Sequence, residues 1–174
     1  MTAAESPARD LPSGMRIVAR PDEADVRRLL AEADLPTSDL TPEKLGNFFA
    51  CERAGQLVAI AGLELHGAEG LLRSVVVSPR SRSQGLGAML VAHAEEVARS
   101  GGVAHLYLLT NTAELFFSRL GYARAAREAA PAAIRSTSEF SALCPASAVL
   151  MVKPLRAVPL PMPPSPRGPH DGGM

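Results

Sequence analysis

The stretch Val75-Val-Val-Ser-Pro-Arg-Ser-Arg-Ser-Gln-Gly-Leu-Gly-Ala88 carries the reading of this chain. Three β-branched residues in a row belong on a buried strand. Pro79 stops that strand because it has no N–H to give to a sheet. Arginines and two glycines then lead into a run whose apolar residues Leu86, Leu90, Ala94 and Val97 recur at helical spacing. The pattern predicts a strand over 71–77, a helix from Gln84 to Ser100, and a Gly101-Gly102 cap that ends it. The first-turn N–H groups of a helix have no partners inside it, and the helix dipole is positive there. Such a strand–loop–helix joint suits a diphosphate lying over Ser83–Ala88. Gly85 and Gly87 lack a Cβ and let backbone approach closely, while Arg80 and Arg82 add positive charge. A P-loop would need Gly-Lys-Ser/Thr at its end, and a dinucleotide fingerprint would need three glycines and a later acid. Neither is present.

Outward from this joint, hydrophobic periodicity places the other elements. Met15–Ala19 reads as a strand. Pro21-Asp-Glu opens a helix with apolar positions Val26, Leu29, Leu30 and Ala33, which stops before Pro36. Thr41-Pro-Glu-Lys starts a second, short helix. Phe48–Arg53 and Gln56–Leu65 form a hairpin about Ala54-Gly55, and a looser turn over 66–70 leads back into the strand 71–77. After the long helix come a strand over 105–109, a helix over 112–120, a strand beyond Gly121-Tyr122, a short helix or ordered loop over 131–142, and a last strand over 148–152. Residues 1–14 read as a flexible leader and 15–156 as one folded domain. Residues 157–174, with Pro159, Pro161, Pro163, Pro164, Pro166 and Pro169, read as a proline-rich disordered tail.

Composition narrows the function. The chain has 174 residues, 47% of them hydrophobic, which is enough for one real core. Eighteen basic and eighteen acidic residues balance, and no basic patch interleaved with aromatics suggests nucleic acid. No apolar run reaches the roughly 20 residues of a membrane span. Cys51 and Cys144 stand apart without metal-ligand spacing, so no metal is expected. Reduced thiols in a cytoplasm are the simplest reading.

Arg82-x-x-Gly85-x-Gly87, with its flanking strand and helix, resembles the acyl-coenzyme A loop of the GNAT N-acetyltransferases. The order of elements over 15–156 is similar too. So is Thr110-Asn-Thr-Ala-Glu-Leu-Phe-Phe-Ser-Arg-Leu-Gly-Tyr122, where many GNAT proteins have Ala-x-x-apolar-aromatic-x-x-x-Gly-aromatic. The resemblance implies an α/β (α+β) fold with a mixed central sheet of six to seven strands flanked by helices, and acetyl-CoA as cofactor. More narrowly, Leu71-Leu-Arg-Ser, Leu109-Thr110, Phe116-Phe117 and Ala133–Ala148 resemble GNAT proteins associated with bacterial arsenic-resistance gene clusters. More distantly the chain is similar to the acetyltransferase domain of N-acetylglutamate synthase. Those likenesses imply a small amino-acid-like amine acceptor. A homodimer is compatible with them.

The same resemblance assigns roles by position. The Val75 N–H would face the acetyl carbonyl and Val77 would bond the pantetheine arm, though both valines also fit an ordinary buried strand. Arg82, Ser83, Gln84, Gly85, Gly87 and Ala88 would hold the diphosphate, and Thr110 and Asn111 the arm, unless they only cap the strand end. Phe117 stands where many relatives have the tyrosine that protonates the leaving thiolate, so it keeps the shape of the cofactor wall without the acid. Tyr107 and Tyr122 are the remaining phenols. The proton of the acceptor amine needs a base or a water chain. Glu64, near the end of an apolar strand and opposite Leu72 or Arg73, is the candidate; a salt bridge with Arg73 is its other reading. Arg73, Ser74, Arg135 and Ser147 are candidates for binding an acceptor carboxylate. A catalytically silent acyl-CoA-binding module is the competing function, and protein-lysine acetylation a third.

Overall fold

The computed structural model describes residues 11–143 and 146–155. Its elements follow the expected order: β1 (Met15–Ala19), α1 (Glu23–Glu32), α2 (Pro42–Leu45), β2 (Phe48–Arg53), β3 (Gln56–His66), β4 (Glu69–Val77), α3 (Leu86–Ser100), β5 (His105–Thr110), α4 (Glu114–Arg119), β6 (Ala123–Ala125), α5 (Ala132–Arg135) and β7 (Val149–Pro154). A 3-10 turn at Pro79–Ser81 follows β4, and a π-helical turn at Glu139–Leu143 precedes β7. Local chemistry fixes the helix starts. The Asp22 carboxylate accepts from the Ala24 N–H at 3.0 Å, and the Thr41 hydroxyl accepts from the Lys44 N–H at 3.2 Å, satisfying first-turn donors.

The seven strands form one mixed sheet in the order β1-β2-β3-β4-β5-β7-β6. Only the β4–β5 pair is parallel, and α3 is its crossover. Alternating side chains give the sheet two apolar faces. On one, Leu86, Leu90, Ala94 and Ala98 of α3 pack on Ala59, Ala61, Leu63, Leu72 and Leu106. On the other, Val26, Leu29 and Leu30 of α1 pack with Phe48, Ala50, Ile60 and Val76, while Ile134 of α5 packs with Leu71 and Leu150. Among the described residues no helix is long and apolar enough to cross a membrane.

Two irregularities shape the centre. The β3–β4 register steps from Ile60↔Val76 to Gly62↔Arg73, so β4 carries one extra residue, and Ser74 there takes a left-handed φ of 57°. The β4–β5 pairing stops after Glu69↔His105, Gly70↔Leu106 and Leu71↔Tyr107. Beyond it Leu72–Val77 pairs only with β3, and Leu108–Thr110 only with β7. The sheet therefore opens into a wedge between its central strands.

Several expectations shift. The turn before β4 is a two-residue one at Gly67-Ala68, because pairing continues to His66↔Glu69. The long helix begins at Leu86, not Gln84: Ser83 and Gly85 both have positive φ, 65° and 76°, which no helix accommodates. The end of the expected leader is ordered, with Leu11 packed on the α3-side core. Residues 1–10 and the expected tail 157–174 lie outside the described residues, as does Cys144.

Candidate active site

The wedge brings the predicted cofactor residues together. Ser78 donates its N–H to the Val58 carbonyl at 2.8 Å, so alternation turns Val76 toward β3 and leaves Val77 and Val75 with backbone groups on the open side. The Val77 carbonyl accepts from Arg82 Nε at 3.4 Å, which folds the arginine back over the strand end. Ser83, Gln84 and Gly85 are exposed at the start of α3. Met89 N–H is the first to bond within the helix, to Gly85 O at 3.1 Å, so the Leu86, Gly87 and Ala88 donors remain for a ligand. Gln84 is held by Arg53, whose Nη2 donates to Oε1 at 2.6 Å.

Gly87 has a packing part as well: a Cβ there would meet Phe116 Cζ at 3.2 Å and Val77 Cγ2 at 3.5 Å, so its smallness lets α3 sit close on the wedge wall. Gly85 has open space around it and is required for its φ of 76°.

On the β5 side, Thr110 Oγ1 accepts from the Ala113 N–H at 3.0 Å and so caps the turn into α4, while Asn111 is exposed. Phe117 is buried, edge-on to Phe116 and Tyr122. The two phenols are placed differently. Tyr122 donates its hydroxyl to Glu95 at 3.1 Å, and burial together with that carboxylate pushes its pKa far up. Burial and Glu69 push Tyr107 up as well. Cys51 is fully buried, and burial pushes its thiol up to about 11.

On the opposite face of the sheet lies a buried ionic cluster. Arg73 is 4% exposed. Its Nη1 donates to Asp39 Oδ2 and, at 3.1 Å, to Glu64 Oε2. Its Nη2 reaches Asp39 Oδ1 at 2.9 Å and Glu139 Oε1 at 2.8 Å, and its Nε reaches Ser74 Oγ at 3.2 Å. Burial opposes the guanidinium charge, but the three carboxylates outweigh it and hold its pKa up. Burial also works against the Asp39 carboxylate, yet hydrogen bonds from Arg73 and Lys44 win and lower its pKa to about 2. Lys44 Nζ is 2.8 Å from Asp39 Oδ2. Glu64 pairs across the ladder with Leu71, and its second oxygen lies 3.8 Å from His66 Nε2.

Arg73 and Ser74 were expected to meet an acceptor carboxylate. The Arg73 donors are instead turned on the protein's own side chains, because a guanidinium this deep in the sheet needs full pairing. Arg135 and Ser147 are exposed, without a side-chain partner among the described residues. Asp39, Lys44 and Glu139 were missed. Glu139 did carry a signal, as the only acid between Pro131 and Ala148.

Residues 44–124 match the acetyltransferase (GNAT) domain model. Over that stretch the chain is similar to a GNAT acetyltransferase domain. An uncharacterised N-acetyltransferase of Chlorobaculum tepidum is 30% identical over 90 residues, or 51% of this chain and 57% of that protein. N-acetylglutamate synthase from Neisseria gonorrhoeae, solved with coenzyme A and N-acetyl-glutamate, superposes with a TM-score of 0.69 at 20% identity, over 84% of this chain and 36% of its own. A Mycobacterium tuberculosis protein in complex with CoA gives 0.66 at 22% identity, over 82% of this chain and 99% of its own. The chain thus spans a little over half of its curated relative and about a third of the synthase, and the structural likenesses establish its fold, the GNAT one: a mixed seven-strand sheet with flanking helices, as expected.

Proposed function

We propose that the chain is an acetyl-CoA-dependent N-acetyltransferase acting on the amine of a small amino-acid-like molecule. One observation carries the reading. The β4–β5 wedge joins the open donors at the start of α3 on one side to the Arg73–Asp39–Glu64–Glu139 cluster on the other. The wedge edge and the first turn of α3 fit a long phosphorylated thiol ester, with helix donors and Arg82 for its phosphates and the Val75 and Val77 backbone for its arm. Acetyl-CoA, when bound, supplies an activated acyl group.

The remaining steps belong to the chain's own residues. Holding the two reactants in line is the largest contribution, on the order of 7–11 kcal/mol in well-oriented systems. The Val75 N–H donates to the oxygen that gains charge as the amine adds, and one such donor is worth a few kcal/mol. Glu64 takes the amine proton. Three carboxylates, Asp39, Glu64 and Glu139, gather around Arg73, with Lys44 beside Asp39, and a site walled by carboxylates favours an ammonium. Arg135 and Ser147 border the same segment as Glu139 and are placed to meet a carboxylate on the acceptor. The likeness to arsenic-resistance GNAT proteins supports an amino-acid-like toxin within this acceptor class.

Phe117 favours a second reading, a catalytically silent acyl-CoA-binding module, since it brings no hydroxyl to the position it fills. A thiol of modest pKa can still depart as thiolate. An acceptor screen reading coenzyme A thiol release separates the two. Release with amino-acid-like amines is expected, and Glu64→Gln should then lower kcat/KM roughly 10²–10⁴-fold. Tight acetyl-CoA binding with no release over any amine would leave only the silent module.

A further inference from the structure

We infer that His66 takes the proton from Glu64 and passes it to solvent, a step that rests on the proposed activity and deepens it. An ammonium acceptor gives up two protons as its nitrogen forms the amide bond and the carbon–sulfur bond breaks. One ends on the departing thiolate and the other must leave the site. A base buried in a sheet can act again only if it is emptied.

Glu64 is 9% exposed, and its Oε2 is already occupied by Arg73. That leaves Oε1, which faces His66 Nε2 at 3.8 Å. His66 Nε2 is enclosed and has no hydrogen-bond partner among the described residues, yet 33% of its side chain is exposed. One end of the imidazole therefore looks at the carboxylate while the ring reaches water. An imidazole can accept a proton at one ring nitrogen and release one from the other, which suits a shuttle.

The surrounding charges support the direction of transfer. On β4, Glu69 is the ladder partner of His66, and Arg73 holds the far oxygen of Glu64. Asp39 reaches the cluster from the segment before α2 with Lys44 of α2 beside it, and Glu139 comes from the π-helical turn. On β5, His105 Nδ1 lies 3.5 Å from Glu69 Oε2. Carboxylates thus flank the ring from both strands, Glu64 facing Nε2 and Glu69 across the ladder. Transfer outward then leaves the cluster as it began.

The test uses the full chain and an acceptor found active in the screen. His66→Gln should lower kcat roughly tenfold or more, with the KM of acceptor and of acetyl-CoA nearly constant. Added imidazole should restore His66→Ala, an effect that a structural role would not produce. In substrate-free protein, the ¹⁵N resonances of the His66 ring should move on Glu64→Gln. Wild-type kcat in His66→Gln, no rescue by imidazole, or ring resonances blind to Glu64→Gln would each overturn the relay while leaving the acetyltransferase reading intact. If the wild-type chain acetylates no amine, both fall together.

Discussion

Burying a guanidinium costs several kcal/mol unless carboxylates meet it, and Arg73 meets three. Its type and position were legible in the sequence, and so was its pairing with Glu64. Asp39 was not legible, because it stands 34 residues away on a segment whose path only the packed fold defines. Asp39→Asn should lower the melting temperature at neutral pH. Its folded pKa of about 2 lies below the ordinary carboxylate value, so its contribution is present above roughly pH 4 and fades as pH falls toward 2. The gap between wild type and Asp39→Asn, followed by thermal melts across pH, should close over that window. Gly87 teaches a similar lesson: its presence was legible but its direction was not. Because its missing Cβ points at Phe116 and Val77, Gly87→Leu and Gly87→Glu should destabilise alike, by about 1–3 kcal/mol in denaturant titrations. A side chain reaching phosphates would instead leave stability alone and make only the acidic variant harmful to acetyl-CoA binding.

At the scale of elements, caps and periodicity revealed every helix and strand in order, since Asp22, Thr41 and Gly101 act through neighbours in the chain. The β4 bulge escaped notice, and the wedge was legible only through the resemblance, which leaves the Val75 and Val77 backbone free to meet the cofactor. Ser74 is no glycine, and nothing local announces its φ of 57°. Pairing that stops after three residues is a property of two strands brought together from distant parts of the sequence. The π-helical turn that carries Glu139 is likewise held from outside. Arg127 Nη1 donates to Ala148 O at 3.1 Å, its Nη2 to Phe140 O at 3.4 Å, and its guanidinium lies 4.4 Å over the Phe140 ring. Arg127→Ala should loosen that turn, raising acceptor KM several-fold while acetyl-CoA affinity, read by calorimetry, stays constant.

For the molecule as a whole, Leu155 ties the end of β7 to the domain: it is 5% exposed and donates its N–H to Ala104 O at 2.7 Å. Leu155→Ala should cost about 2–5 kcal/mol, as for other buried leucines. A chain ended after Arg156 should melt where the full chain does. A lower melting point would show that residues beyond 156 dock on the domain.

The three-pair seam has a mechanical consequence. Four strands lie on one side of it and three on the other, so the protein is a plate with a notch cut to its middle. Stiffness across a notch comes from whatever fills it. The amides of Val75 and Val77 on that edge should exchange with deuterium quickly in the free chain and slowly once the notch is filled, and the two halves should then unfold as one unit instead of in succession. The ligand of this protein would serve, for as long as it stays, as a length of missing sheet.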